Sequence, residues 1–298
     1  MSQTPITESL HYQGSMKLLY NEGNPRLRYQ VSHEKPDRTW TQPTIIAGVS
    51  SVLQLVPKPF LVAWAGLVST EKAVELLEPS TIAAVRGFVE KYKETYNTTA
   101  YEAIKVARKQ FPVLAKIAKG HEAVGDEAKE TGTDAHNALE AHVLGKEYKC
   151  TTPGGQKALD SFKTSIIEVT NPKTELPILS RQHSYAGRFD MLCNIGGKLV
   201  LCDWKTNKRD ARFNPSGAHM ENFLQLGAYA YAWFEEHGTW PDDLAVINVD
   251  KLEGKPAIIT LGSDFDASPQ ELASVFLSMK GVADSLRQLD HRWKSEKL

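Results

Sequence analysis

The 298-residue sequence has little cysteine, almost no net charge and no long hydrophobic run. Its three cysteines include no CxxC pair, so a disulfide framework is not expected and the thiols are predicted to be reduced. The formal net charge of −1 argues against a polycation that coats nucleic acid, although a local basic groove stays possible. The first residues lack the basic and apolar parts of a signal peptide, and the longest apolar stretch, residues 59–68, is too short to span a bilayer. We expect a cytoplasmic protein without membrane contact.

The order of the hydrophobic patterns predicts a mixed fold. Apolar residues recur at helical spacing from Glu71 to Leu144, whereas short strand-like runs follow Pro177. Helices followed by strands with helices outside them favour an α/β (α+β) fold, with a central mixed β-sheet flanked by helices. We predict an N-terminal hairpin and helical region in residues 1–118 and a core with a C-terminal helix in residues 119–298. No linker separates them, so one compact unit is expected.

The stretch YAGRFDMLCNIGGKLVLCDWKTNK carries acidic residues inside two apolar runs. Gly196 and Gly197 are a strong signal for a two-residue hairpin turn. A turn centred there pairs residues whose numbers add up to 393, so Asp190 faces Asp203. Two carboxylates at that separation repel each other unless a cation lies between them, and hard oxygen ligands suit Mg²⁺ or Mn²⁺. We interpret the pair as a divalent-metal site with Lys205 on the same face of the sheet.

Two predicted helices carry polar pairs that complement this site. His136 and Glu140 lie four residues apart, on one face of a helix. His136 is a candidate third ligand, although a single helical histidine is more often structural. Gln225 and Tyr229 have the same spacing on a later helix. They either pack on the sheet or present two hydrogen-bonding groups to the metal cleft.

In their order and spacing these motifs resemble the RecB-like branch of the PD-(D/E)xK nuclease superfamily. The matching residues are Gly132-Thr133-x-x-His136-x-x-Leu139-Glu140, Gly187-x-x-Asp190, Asp203-Trp204-Lys205 and Gln225-x-x-x-Tyr229. Phe189 stands where the superfamily's name has proline. The resemblance covers residues 125–230, and residues 44–65 are similar to the N-terminal segment of phage-encoded and mitochondrial-type single-strand exonucleases of that branch.

The resemblance implies a restriction-endonuclease-like core and a metal-dependent DNA exonuclease. Such an enzyme hydrolyses phosphodiester bonds from the ends of single-stranded or duplex DNA, in recombination, repair or replication. Its setting would be the cytoplasm of a bacterium or of a phage-infected host cell. Because the three cysteines are not placed like those of the cluster-containing relatives, no iron–sulfur cluster is expected. The oligomeric state stays open.

The resemblance also assigns roles to residues. Mg²⁺ or Mn²⁺ would be held by His136, Asp190, Asp203 and the backbone carbonyl of Trp204, with Glu140 holding a second ion or a water. Lys205 would orient the attacking water and offset negative charge in the transition state. The remaining assignments are to the DNA: Gln225 and Tyr229 position the strand, and Arg188, Lys208 and Arg209 are candidate phosphate contacts. A solvated charge pair explains Lys208 and Arg209 equally well.

Three other interpretations stay open at this point. One is a structure-specific or nonspecific endonuclease of the same superfamily, with the same hydrolytic residues and a different substrate path. A second is a non-cleaving nucleic-acid-binding protein on a nuclease scaffold, although the presence of Asp190, Asp203 and Lys205 disfavours it. A third is an unrelated metal-binding or hydrolase domain in which the facing aspartates arise by chance.

Overall fold

The computed structural model describes residues 6–21, 24, 28–57, 59–207, 209 and 214–295. The chain divides into two compact units, one formed by Met1–Val56 with Thr131–Leu298 and the other by Pro57–Glu130. This division differs from the predicted boundary between residues 118 and 119. The N-terminal segment belongs with the C-terminal part because one of its strands joins the same sheet, as the pairings below show.

The strands form a four-stranded and a six-stranded sheet. In chain order they are β1 (Ile6–His11), β2 (Met16–Asn21), β3 (Tyr29–His33), β4 (Thr44–Ile45), β5 (Ala47–Gly48), β6 (Thr170–Ser180), β7 (Tyr185–Ile195), β8 (Lys198–Lys205), β9 (Asp243–Asn248) and β10 (Ile258–Leu261). The smaller sheet has the order β1-β2-β3-β4. The larger has the order β10-β9-β8-β7-β5, and β6 also pairs with β7. β5–β7 and β8–β9 are parallel and the other pairs are antiparallel, which confirms the predicted mixed sheet.

The helices are α1 (Val49–Leu53), α2 (Pro59–Leu76), α3 (Pro79–Tyr96), α4 (Ala100–Gln110), α5 (Pro112–Ala118), α6 (Gly120–Val143), α7 (Pro153–Lys163), α8 (Met220–His237) and α9 (Pro269–Ser295). Helices α2 to α5 belong to the second unit. Within the described part of the chain, none of these helices has the length and apolarity needed to cross a bilayer. The predicted N-terminal hairpin corresponds to the β2–β3 pair, and residues 22, 23 and 25–27, which lie between the two strands, are outside the described residues.

Helices cover both faces of the six-stranded sheet. On one face, Leu201 and Val246 belong to a core shared with α1, α8 and α9. On the other face, Trp204 and Ile247 belong to a core shared with α6 and α7. A sheet buried on both faces needs apolar residues at successive positions of its central strands, and this explains the unbroken apolar runs of the sequence.

The β7–β8 hairpin has the predicted turn and register. Gly196 and Gly197 have φ of +57° and +80°, the left-handed values that a two-residue hairpin of this type requires. Met191 pairs with Cys202 and Ile195 with Lys198, which confirms the sum of 393.

The alternation of side chains along β7 reverses at Asp190. Phe189 belongs to the core under α8, whereas Met191 belongs to the core under α6. Residues two apart on a regular strand share a face, so the strand is irregular at this point. The ladder between β7 and β8 ends at Met191 and Cys202, one position before the two aspartates. The predicted cross-strand pair of Asp190 and Asp203 therefore lies beyond the regular ladder.

Asp134 on α6 fixes the loop that connects α6 to α7. Its carboxylate accepts hydrogen bonds from the Tyr148 hydroxyl at 2.9 Å and from the backbone N–H groups of Thr151 and Thr152 at 3.0 and 2.8 Å. Burial alone would raise the pKa of this carboxyl, but the hydrogen bonds outweigh that effect and lower the pKa from 3.8 to about 2. Asp134 thus positions α6, which also carries His136.

We expect Asp134→Asn to lower the free energy of unfolding by about 2 kcal/mol at pH 7, because the amide replaces charge-assisted hydrogen bonds. Since the pKa of Asp134 is lowered on folding, its contribution is present above pH 4 and declines as the pH falls towards 2. Urea unfolding at pH 7 and pH 3 measures both effects. Asp126→Asn, at an exposed position of the same helix, is the control. Equal destabilisation by the two substitutions would contradict this role.

Candidate metal centre

Three side chains bring possible ligand atoms together at the open end of the β7–β8 hairpin. His136 of α6, Glu175 of β6 and Asp190 of β7 each contribute one atom, and these atoms lie within 4.8 Å of one another. The Nδ1 atom of His136 is 3.6 Å from Oδ2 of Asp190. One imidazole nitrogen and two carboxylates form a donor set that fits Mn²⁺ or Mg²⁺. The predicted ligands His136 and Asp190 are therefore brought together.

Glu175 was not predicted from the sequence. It lies on β6 between two residues that pair with β7, Thr174 with Met191 and Leu176 with Phe189, so it is level with Asp190. Its φ of +52° is uncommon for a residue other than glycine and costs energy of order 1–3 kcal/mol. Strained backbone of this kind concentrates at functional sites, and the strain here accompanies a carboxylate that turns towards Asp190.

Asp203 and Lys205 form a buried ion pair beside this group. The Lys205 Nζ atom is 2.5 Å from Oδ2 of Asp203, and the Asp203 side chain is only 2% exposed. The ammonium is therefore the charge partner of this carboxylate, and the carboxylate of Asp190 also interacts with it. One ammonium does not balance two neighbouring carboxylates that are buried together, so additional positive charge would be favourable there. Asp203 is thus a further carboxylate at which a cation would be favourable, although it is not one of the three residues whose ligand atoms converge.

The protonation states at the centre follow from burial and from the neighbouring charges. Burial raises the pKa of Asp203, and the net result of repulsion by Asp190 and attraction by Lys205 leaves it at about 7. Burial opposes the charge of Lys205, but the attraction of Asp203 and Asp190 is larger and raises its pKa. Burial lowers the pKa of His136 despite the attraction of Asp190. His136 is therefore neutral near pH 7, the form in which imidazole binds metals.

The backbone of Trp204 connects the ligands. Its N–H donates to Oδ2 of Asp190 at 2.8 Å, and its carbonyl interacts with the His136 ring. The indole lies on the opposite side in the core, packed edge-on against Phe162 at a ring distance of 5.3 Å. The ring is therefore part of the core, and the predicted ligand role of the carbonyl stays a prediction.

Tyr229 and Gln225 lie on α8 above the Asp203 face of the sheet. Gln225 Nε2 donates to the Tyr229 hydroxyl at 2.9 Å. A Cβ atom at Gly187 would come within 2.5 Å of the Tyr229 ring, which explains why the motif has glycine there. Burial raises the pKa of Tyr229, and the charges of Asp203 and Asp190 act in the same direction, so its hydroxyl keeps its proton.

The other predicted site residues have different surroundings. Glu140 accepts a hydrogen bond from Thr174 Oγ1 at 2.9 Å and lies outside the three-residue group. Arg188 pairs with Glu175 at 2.7 Å. Arg209 donates to the backbone carbonyls of Asn248 at 2.8 Å and Pro256 at 3.0 Å, so its guanidinium holds the loop after β9. Lys208 lies outside the described residues.

Comparisons with known proteins add little. No family model and no curated protein matches the chain. Among solved structures, one titled "Crystal structure of SSO0001" aligns with 76% of this chain and 86% of its own length, at 12% identity and a TM-score of 0.31. A TM-score this low carries no argument about fold or function.

We expect Glu175→Gln and Asp190→Asn each to weaken Mn²⁺ binding at least about tenfold, because each removes a charged ligand. Glu140→Gln should change the affinity little, since the carboxylate of Glu140 serves Thr174. Calorimetric Mn²⁺ titration measures the affinities, and Glu168→Gln at an exposed position controls for the lost charge. A loss in Glu140→Gln without a loss in Glu175→Gln would show that Glu140, and not Glu175, is the metal ligand.

Proposed function

We propose that this chain is a metal-dependent DNA exonuclease that hydrolyses phosphodiester bonds from strand ends. One observation carries the proposal: three possible ligand atoms, from His136, Glu175 and Asp190, converge beside the buried Asp203–Lys205 ion pair. Acidic and imidazole ligands next to a charged lysine suit phosphodiester hydrolysis, which needs positive charge at the phosphate. The resemblance of the motifs to RecB-like nucleases agrees with this chemistry.

Each residue of the centre has its own role at the phosphate. His136, Glu175 and Asp190, with Asp203 beside them, would hold a divalent cation, which would supply positive charge at the scissile phosphate and lower the pKa of the attacking water. Lys205 keeps its charge because Asp203 and Asp190 raise its pKa, and it offsets the negative charge that grows on the phosphate oxygens. The Gln225–Tyr229 pair supplies polar groups that position the strand.

A group of aromatic and cationic side chains beside the centre favours nucleic acid as the substrate. The rings of Tyr20 and Tyr29 are 5.3 Å apart, and the Arg188 guanidinium lies 5.2 Å from the centre of the Tyr20 ring. Arg188 also pairs with the possible ligand Glu175. Aromatic faces that stack bases and guanidinium groups that attract phosphates are typical of single-strand binding surfaces.

We expect Lys205→Ala to lower the single-turnover rate at least about a hundredfold while leaving DNA affinity nearly unchanged, because Lys205 acts on charge that develops during the reaction. End-labelled oligonucleotides with Mg²⁺ or Mn²⁺ give the rate, and anisotropy with a phosphorothioate strand gives the affinity. Lys198→Ala, at the other end of the same strand, is the control. A Lys205→Ala protein that folds and cuts at the parental rate would refute the assigned mechanism.

Linear and covalently closed circular DNA separate the exonuclease from the endonuclease interpretation. Because an exonuclease needs a strand end, we expect degradation of linear single or double strands and no loss of closed circles under the same conditions. Nicking or linearisation of the circles would instead identify an endonuclease. If the chain binds both forms without hydrolysing either, with Mg²⁺ or Mn²⁺, it would be a nucleic-acid-binding protein.

A further inference from the structure

A cationic cavity of about 430 Å³ lies beside β5, and it contains none of the proposed metal ligands. Its lining includes Arg28, Tyr29, Ser50, Gln54 and Arg287. β5 pairs in parallel with the start of β7, the strand that carries Asp190. The cavity therefore adjoins the strand that carries part of the candidate metal centre, but it is formed by different residues.

The described residues that line this cavity give it a positive charge. Two arginines line it, and no aspartate or glutamate is among the described residues of the lining. Arg28 Nε is buried and has no hydrogen-bond partner in the described part of the chain. Arg287 is half exposed, and its NH1 atom makes only a long contact of 3.4 Å with Asp284. A buried N–H without an acceptor is unfavourable, so an anion that accepts from Arg28 would remove a defect of the free protein.

The volume of the cavity and its remaining side chains favour a phosphate that is attached to a nucleotide. Guanidinium groups match phosphate oxygens in a two-pronged geometry, and the Ser50 hydroxyl and Gln54 amide are exposed hydrogen-bonding groups in the same lining. The volume lies within the range of small-ligand sites. Tyr29 adds an aromatic ring on which a base can stack.

Tyr29 links the cavity to the metal centre. Its ring edge is close to Gly48 of β5, where a Cβ atom would lie 3.0 Å from Tyr29 Cε2. Burial raises the pKa of Tyr29 to about 12, and the charges of Arg188 and Glu175 also act on it. The phenol is therefore near both the cavity and a possible metal ligand.

We propose that the cavity formed by Arg28, Arg287 and Tyr29 binds the phosphate of a nucleotide, supplied by a DNA strand or by a free mononucleotide. The choice of a nucleotide over another phosphate compound rests on the proposed nuclease function. The anion site itself does not rest on it. Occupancy by a strand would make these residues part of the substrate path, whereas occupancy by a mononucleotide would make the cavity a site of product binding.

Calorimetry in EDTA tests the site without hydrolysis, using inorganic phosphate, thymidine monophosphate and a short oligonucleotide as separate probes. We expect Arg28→Gln and Arg287→Gln each to weaken nucleotide binding about tenfold or more, since each removes a charged donor. Arg86→Gln, an exposed arginine of the second unit, is the control for loss of charge. The Asp190→Asn variant should bind mononucleotide as tightly as the parent, because Asp190 does not line the cavity. This result is expected even if the nuclease assignment is wrong.

The outcomes separate the alternatives. Tight binding of the oligonucleotide but not of the mononucleotide identifies the strand as the source, and the reverse identifies the free nucleotide. Binding of inorganic phosphate alone overturns the nucleotide assignment. No binding of any probe at millimolar concentration, or binding unchanged in Arg287→Gln, overturns the site. Arg287 is exposed, so this variant keeps the test valid if Arg28→Gln does not fold.

Discussion

The candidate centre depends on negative charge held where β7 and β8 stop pairing. The next residue on each strand after the last ladder pair is an aspartate. Asp190 accepts the N–H of Trp204, while Asp203 is buried against Lys205. Because two carboxylates are confined where water is scarce, burial and repulsion leave the pKa of Asp203 near 7. The end of the ladder thus leaves two carboxylates close together, and positive charge added beside them would be stabilising.

The parts of this arrangement that were predictable depend on local rules. The Gly196–Gly197 turn needs positive φ at both positions, and such a turn sets the register of the residues around it. Strict alternation along β8 then places Cys202 and Trp204 on one face of the sheet and Leu201 on the other. The spacing of four residues predicts that His136 and Glu140 lie on the same face of a helix, and α6 is continuous at these positions.

The parts that could not be predicted depend on non-local pairing or on irregular backbone. The position of Glu175 depends on the β6–β7 register and on its own left-handed φ. The neighbouring residues in the sequence do not indicate that its φ is positive. The reversal of faces at Asp190 follows from no local pattern, although the hairpin register still brings Asp190 and Asp203 close enough to interact. The parallel pairing of β5 with β7 joins segments more than a hundred residues apart, so the assignment of residues 1–56 to the core was beyond local patterns.

The balance of charge explains why such a centre would bind a polyanion only with help. Glu175 and Asp190 would present negative charge to a strand of phosphates, and Asp203 would add part of a further charge at neutral pH. Lys205 and Arg188 are each engaged with one of these carboxylates, so little positive charge is left over. A bound divalent cation would reverse this balance at the centre, whereas Arg28 and Arg287 line a separate cavity that has no carboxylate among its described residues. Under the proposed function, a chain with a net charge of −1 would hold DNA through a few positioned cations, and its affinity for DNA would depend on both the metal and the salt concentration.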